Sequence, residues 1–115
     1  MWKDIEALKP KPRVAILAWH EYRGVIACHG EEAASNQFVT HWAEIPASGW
    51  VRADQVKPTA ADADQRGCVL ACHLYDGYRV TGWHQIARDK YYIKWQRTPK
   101  GPRRAANGEA SRRWP

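Results

Sequence analysis

Residues 14–19 are apolar on both faces of an extended chain, since Val14, Ile16 and Ala18 point one way and Ala15, Leu17 and Trp19 the other. This pattern predicts a buried strand. Tyr22, Arg23 and Gly24 supply a turn, and residues 25–29 read as the returning strand of a hairpin. Further along, residues 68–75 predict a strand, Asp76-Gly77 is a strong hairpin signal, and residues 78–84 return with β-branched and aromatic side chains. Phe38, Thr40 and Trp42 share one face of a third strand, as do Tyr91, Ile93 and Trp95, and these strands run out at Pro46 and Pro99. Residues 2–8 and 50–56 form either a helical turn or an extended edge, while 31–36 and 60–65 are polar, small-residue loops.

These elements recur in order. Trp2, Leu8, Lys9 and Pro10 fall on Trp50, Val56, Lys57 and Pro58 at one constant offset. After an insertion in residues 59–65, Leu17, Ala18, His20, Tyr22 and Gly24 fall on Leu70, Ala71, His73, Tyr75 and Gly77, and Trp42 and Pro46 on Trp95 and Pro99. Ordered landmarks with one insertion predict a duplication of a three-stranded unit. The expected fold is mainly β, a small twisted barrel or two packed sheets, SH3-like in character, with an α+β arrangement around one short helix as the alternative. The expected domain spans residues 1–99, made of repeats 2–46 and 50–99, because each half is near the size below which a core rarely suffices.

Charge divides the chain differently. The net charge is +6, and most of it lies after Thr98, where Lys100, Arg103, Arg104, Arg112 and Arg113 face only Glu109. Residues 100–115 therefore read as a basic, flexible tail suited to nucleic acid or an acidic partner. Seven Trp and five Tyr give large rigid apolar surfaces. Trp42 and Trp95 are expected in the core, and Trp114 in the tail is expected to be exposed. Three cysteines, with no charged segment and apolar signal region at the start, predict a reducing cytoplasm. The longest apolar run is far too short to span a membrane.

Trp2, Leu8, Pro10, the strand at 14–17 and the closing Thr40-His41-Trp42-Ala43-Glu44-Ile45-Pro46 together resemble the phage- and prophage-associated family catalogued as domain of unknown function 551. That family places Met-Pro after the Trp, where this chain has Ala43-Glu44. Residues 50–99 share the pattern only through Trp50, Leu70, Trp95 and Pro99. The resemblance implies a mobile-element origin, a bacterial host cell and no described active site. Separately, Gly49-Trp50-Val51 with Val56 is similar to a stretch of bacterial SH3-like domains. Both resemblances imply binding rather than catalysis.

Candidate chemistry is sparse. Cys28-His29 and Cys68-x-x-x-Cys72-His73 hold metal-ligating groups, but on a strand Cys68 and Cys72 lie about 13 Å apart, too far to share zinc, and adjacent Cys72 and His73 face opposite ways. His20, His29, His41, His73 and His84 lie in expected strands, without a nucleophile elbow, phosphate loop or carboxylate pair. The expectation is no enzyme, no cofactor and no bound metal. Arg23, Arg79, Arg88, Lys90 and Lys94 interleave with Trp83, Tyr91 and Tyr92. The expected partner-binding residues are Trp19, Arg79, Trp83, Tyr91, Tyr92 and Lys94, on a module that docks on a host or phage protein. Nucleic acid bound by the tail and the aromatic and arginine face is the alternative.

Overall fold

A computed structural model describes residues 1–102. The tail positions Arg103, Arg104, Arg112, Arg113 and Trp114 lie outside the described residues. The chain divides into two compact units, one formed by Met1–Glu44 with the chain that follows from Pro99, the other by Ile45–Thr98. The first unit contains β1 (Lys3–Asp4), β2 (Ala15–His20), β3 (Gly24–His29), α1 (Gly30–Ser35) and β4 (Val39–Glu44). The second contains β5 (Val51–Arg52), a 3-10 turn at Ala60–Asp62, β6 (Cys68–His73), β7 (Gly77–Gly82), α2 (Gln85–Arg88) and β8 (Tyr92–Gln96). The protein is mainly β, built on two antiparallel four-stranded sheets ordered β1-β4-β2-β3 and β5-β8-β6-β7. Neither sheet closes into a barrel, because the first and last strands of each are unpaired with one another.

The expected hairpins form. In β2, Ile16, Leu17 and Ala18 are all buried, and so are Val69, Leu70 and Ala71 in β6, as runs apolar on both faces require. Gly24 and Gly77 close the hairpins with φ of 75° and 78°, the left-handed region that a side chain resists. Residues 3–4 and 51–52 resolve as extended edges, so each sheet has four strands rather than three. A turn follows each edge. The Asp4 carbonyl accepts from the Ala7 and Leu8 N–H groups, and the Arg52 carbonyl from those of Gln55 and Val56.

The third expected strand differs in an informative way. Trp19 pairs with His41 but His20 with Val39, leaving Thr40 without a partner on β2. Cys72 pairs with Lys94 but His73 with Tyr92, leaving Ile93 without a partner on β6. Such a bulge breaks the two-residue alternation on which the shared faces of Phe38, Thr40 and Trp42, and of Tyr91, Ile93 and Trp95, were predicted. The core instead takes Val39 with Trp42 in one unit and Tyr92 with Trp95 in the other. Phe38 and Tyr91 are left exposed.

Residues 31–36 also depart from the expected loop, since α1 covers most of them. Its first turn is held by the His29 N–H donating to Glu32 Oε1 at 2.8 Å, and Ala33 is buried against the core. A helix this short depends on that packing rather than on propensity. Gly30 at its start has no room for a side chain, because a Cβ there would meet the Lys11 carbonyl oxygen at 2.0 Å. In the second unit α2 does the same through Ile86, which is fully buried.

Each core is pinned by a tryptophan, as expected for Trp42 and Trp95. The Trp42 indole donates from Nε1 to the Leu8 carbonyl at 2.7 Å, and Trp95 to the Val56 carbonyl at 2.8 Å. Each bond ties the last strand of its unit to the turn after the edge strand. Trp42→Phe and Trp95→Phe keep a ring but lose the donor, and each should lower the free energy of unfolding by about 1–2 kcal/mol in urea titrations.

Candidate binding surfaces

Beside each hairpin turn stands a buried histidine. His20 is 7% exposed, and its Nδ1 accepts from the Tyr22 N–H at 3.1 Å and the Arg23 N–H at 3.2 Å. His73 is 8% exposed, and its Nδ1 accepts from the Tyr75 N–H at 3.2 Å and the Asp76 N–H at 3.1 Å. The imidazole thus satisfies two backbone donors that the tight turn would otherwise leave unpaired. The pattern His-x-Tyr-x-Gly, at His20 to Gly24 and again at His73 to Gly77, encodes this lock.

The lock holds aromatic rings toward solvent. Tyr22 is 71% exposed and meets Phe38 edge-on, with centroids 5.3 Å apart. Tyr75 is 72% exposed and meets Tyr91 in the same way at 5.1 Å. His20 lies 5.5 Å from the Phe38 ring, and His73 lies 6.1 Å from Tyr91. Two adjoining exposed aromatics form a rigid apolar knob on each unit, which is the sort of surface that partners bury.

The charges around the knobs differ. In the second unit His73 accepts through Nδ1, so its neutral ring carries the proton on Nε2 and donates it to Asp89 Oδ2 at 3.0 Å. Asp76 pairs with Arg79 at 3.2 Å, and Lys90 lies 5.4 Å from the centre of the Tyr91 ring. The Tyr91 N–H, and after it His73, hold the Asp89 carboxyl below its ordinary range. The corresponding place in the first unit is taken by Asn36, whose Oδ1 accepts from the Phe38 N–H at 2.9 Å, just as Asp89 Oδ1 accepts from Tyr91.

Of the residues predicted to bind a partner, Tyr91 alone belongs to a knob. Arg79 is exposed on β7 and reaches the Asp76 beside Tyr75. Tyr92 is corrected to a core residue, 7% exposed, because the bulge at Ile93 turns it inward. Trp83 is half-buried against the second core, and its ring meets His84 edge-on. Lys94 is drawn to its own unit, with Nζ 4.7 Å from the Trp50 ring centre and 5.8 Å from that of Tyr78. Trp19 meets Trp2 edge-on at 6.2 Å and is covered by the chain at Gly101. Lys100 is exposed. Tyr22, Phe38 and Tyr75 were missed, although the repeated His-x-Tyr-x-Gly would have found the two tyrosines.

The three cysteines are free thiols. Burial and then Glu32 push the Cys28 thiol up to about 11, and burial followed by Asp64 raises Cys68. Neither is poised as a thiolate nucleophile. Among the described residues, no three His, Cys, Asp or Glu side chains come together in a way that could hold a metal ion. No helix among them is long and apolar enough to cross a membrane. Comparison of the chain with protein-family models, curated proteins and solved structures gives no match.

Two measurements test the histidine locks. His20→Ala and His73→Ala should each speed hydrogen exchange at the turn amides they hold, Tyr22 and Arg23 or Tyr75 and Asp76, relative to the rest of the sheet. Asp89→Asn keeps an acceptor for Tyr91 but sets an amide NH2 against the His73 Nε2–H. A depressed carboxyl contributes stability above its unfolded-state pKa and loses it as pH falls through the folded value. The variant should therefore melt below the wild type near neutral pH, and the gap should close on acidification below about pH 4.

Proposed function

We propose that this protein is a non-enzymatic docking module that binds another protein through its aromatic knobs. The observation that carries the reading is that Tyr22 with Phe38, and Tyr75 with Tyr91, are displayed the same way over a buried, turn-locking histidine. A chain that holds large rings in solvent at two equivalent places gains nothing in stability from their exposure. Rigid aromatic side chains of this kind form the energetic centres of protein interfaces.

The charges favour protein over nucleic acid at the knobs. Glu21 and Arg23 adjoin Tyr22, and Asp76 and Asp89 stand with Arg79 and Lys90 around the second pair, so a phosphate backbone would meet a mixed-charge surface rather than a basic one. A protein surface with mixed charge suits this setting. The basic tail then contributes salt-sensitive steering to the same encounter, not its specificity. The mobile-element character implied by residues 2–46 makes a host or phage protein in the bacterial cytoplasm the natural partner.

The same proposal includes an origin by duplication. The shared strand order, the bulges at Thr40 and Ile93, and the paired indole and histidine bonds support it. One such unit then supplied both knobs.

The test is capture from host lysate by wild type, Tyr22→Ala, Tyr75→Ala and the double variant, with and without nuclease, at low and high salt. Both tyrosines are exposed, so each substitution should change stability by less than about 1 kcal/mol. A specific protein that survives nuclease and salt, and is lost roughly tenfold or more when the tyrosines are removed, supports the proposal. Capture that vanishes with nuclease and ignores the tyrosines would instead assign the protein to nucleic acid.

A further inference from the structure

Trp2 and Trp19 stand together in the first unit, edge-to-face at an interplanar angle of 72°. Both are half-buried. The chain that follows Pro99 crosses them, and three features fix it there. The Trp2 Nε1–H donates to the Lys100 carbonyl at 2.7 Å, a bond joining residues from opposite ends of the described chain. Gly101 lies so close to the Trp19 ring that a Cβ would come within 2.5 Å of Cζ3 and 2.6 Å of Cη2. Pro102 is buried.

These are the components of an aromatic peptide groove. An indole N–H reads a backbone carbonyl, a ring face admits only glycine at the next position, and a proline fills the position after it. Aromatic-lined grooves take extended prolyl segments in this manner, because such segments lose little entropy on binding and present unpaired carbonyls. In the second unit only the indole bond recurs: Trp50 Nε1 donates to the Pro46 carbonyl of its own unit at 2.9 Å, while its ring lies 5.6 Å from Tyr78 and Lys94 lies close over it.

We propose that Trp2 and Trp19 form a recognition groove for an extended glycyl-prolyl segment, held in cis by Lys100–Gly101–Pro102, and that a partner protein presenting such a segment binds by displacing this strap. The inference is separate from the aromatic knobs and stands or falls without them. Because the strap belongs to the same chain, its effective concentration suppresses weak competitors, and only partners that present the motif well gain the groove.

The experiment uses the full chain and a synthetic peptide of residues 98–104. Gly101→Val places a branched side chain against Trp19 and should unseat the strap, read as faster exchange of the Trp2 indole N–H. This variant should bind the peptide in trans, with a change in tryptophan fluorescence, at least about tenfold more tightly than the wild type, whose groove is filled. A peptide carrying Val in place of Gly should not bind. Adding Trp19→Ala should weaken peptide binding by roughly tenfold or more. Gly101→Ala, whose single Cβ would already meet the Trp19 ring at 2.5 Å, provides a second route should Gly101→Val fold poorly. It should loosen the strap and bind the peptide more tightly than the wild type does. If either folded variant frees the strap yet ignores the peptide, or if the Val-containing peptide binds as well as the native one, the groove is merely a clasp and the proposal is overturned.

Discussion

Thr40 has no partner on β2 and Ile93 none on β6, and much of each unit follows from that one extra residue. Without it, strict alternation would place Phe38, Thr40 and Trp42 on one face, and a single sheet surface would have to bury or expose all three. With it, the strand changes phase between Val39 and Trp42, and again between Tyr92 and Trp95. Both members of each pair then reach the core, and the tryptophan N–H comes within bonding distance of the carbonyl after the edge strand. The same phase change leaves Phe38 and Tyr91 just outside the sheet, beside the hairpin turns. A bulge adds local twist and redirects side chains, and here it separates the residues that stabilise the unit from those it displays.

The buried histidines connect that separation to the turns. A hairpin that turns sharply through Gly24 or Gly77 leaves backbone N–H groups without ladder partners in a part-buried turn. His20 and His73 accept two each, so the turn is rigid and the tyrosine within it has a defined direction. An exposed ring on a rigid base costs less to order on binding than one on a mobile loop, which makes the lock relevant to affinity as well as to folding.

Much of this was legible in the sequence. Doubly apolar runs located β2 and β6, Asp76-Gly77 and Tyr22-Arg23-Gly24 located the turns, and Trp42 and Trp95 were expected in the core. The helices escaped because their evidence is tertiary. Residues 30–35 are polar and small, and beside the Glu32 cap it is the burial of Ala33 and the close approach of Gly30 to Lys11 that account for a helix there. Bulges escaped for a related reason, since an unpaired residue leaves no mark in the pattern of one strand and is defined only against its neighbour. Tyr92 was therefore read as a surface residue and Phe38 as part of the face of Trp42. Trp19 was read as a docking residue without any sign that the chain itself returns to cover it, because contacts between distant residues have no local signature.

The two knobs share a shape and differ in charge, which bears on what two such units can do. Around the second pair stand Asp76 paired with Arg79, Asp89 bonded to His73, and Lys90 over the Tyr91 ring. Around the first stand Glu21, Arg23, Gln37 and Asn36, with an amide replacing the carboxylate that His73 engages. The second hairpin also exposes Leu74, which corresponds to Glu21 in the first, so its knob is the more apolar of the two. Apolar area supplies affinity and flanking charge supplies discrimination. On the proposed reading, similar rings in unequal surroundings would let the two units share an anchoring geometry while selecting different complementary surfaces, a division that one unit with one knob cannot make.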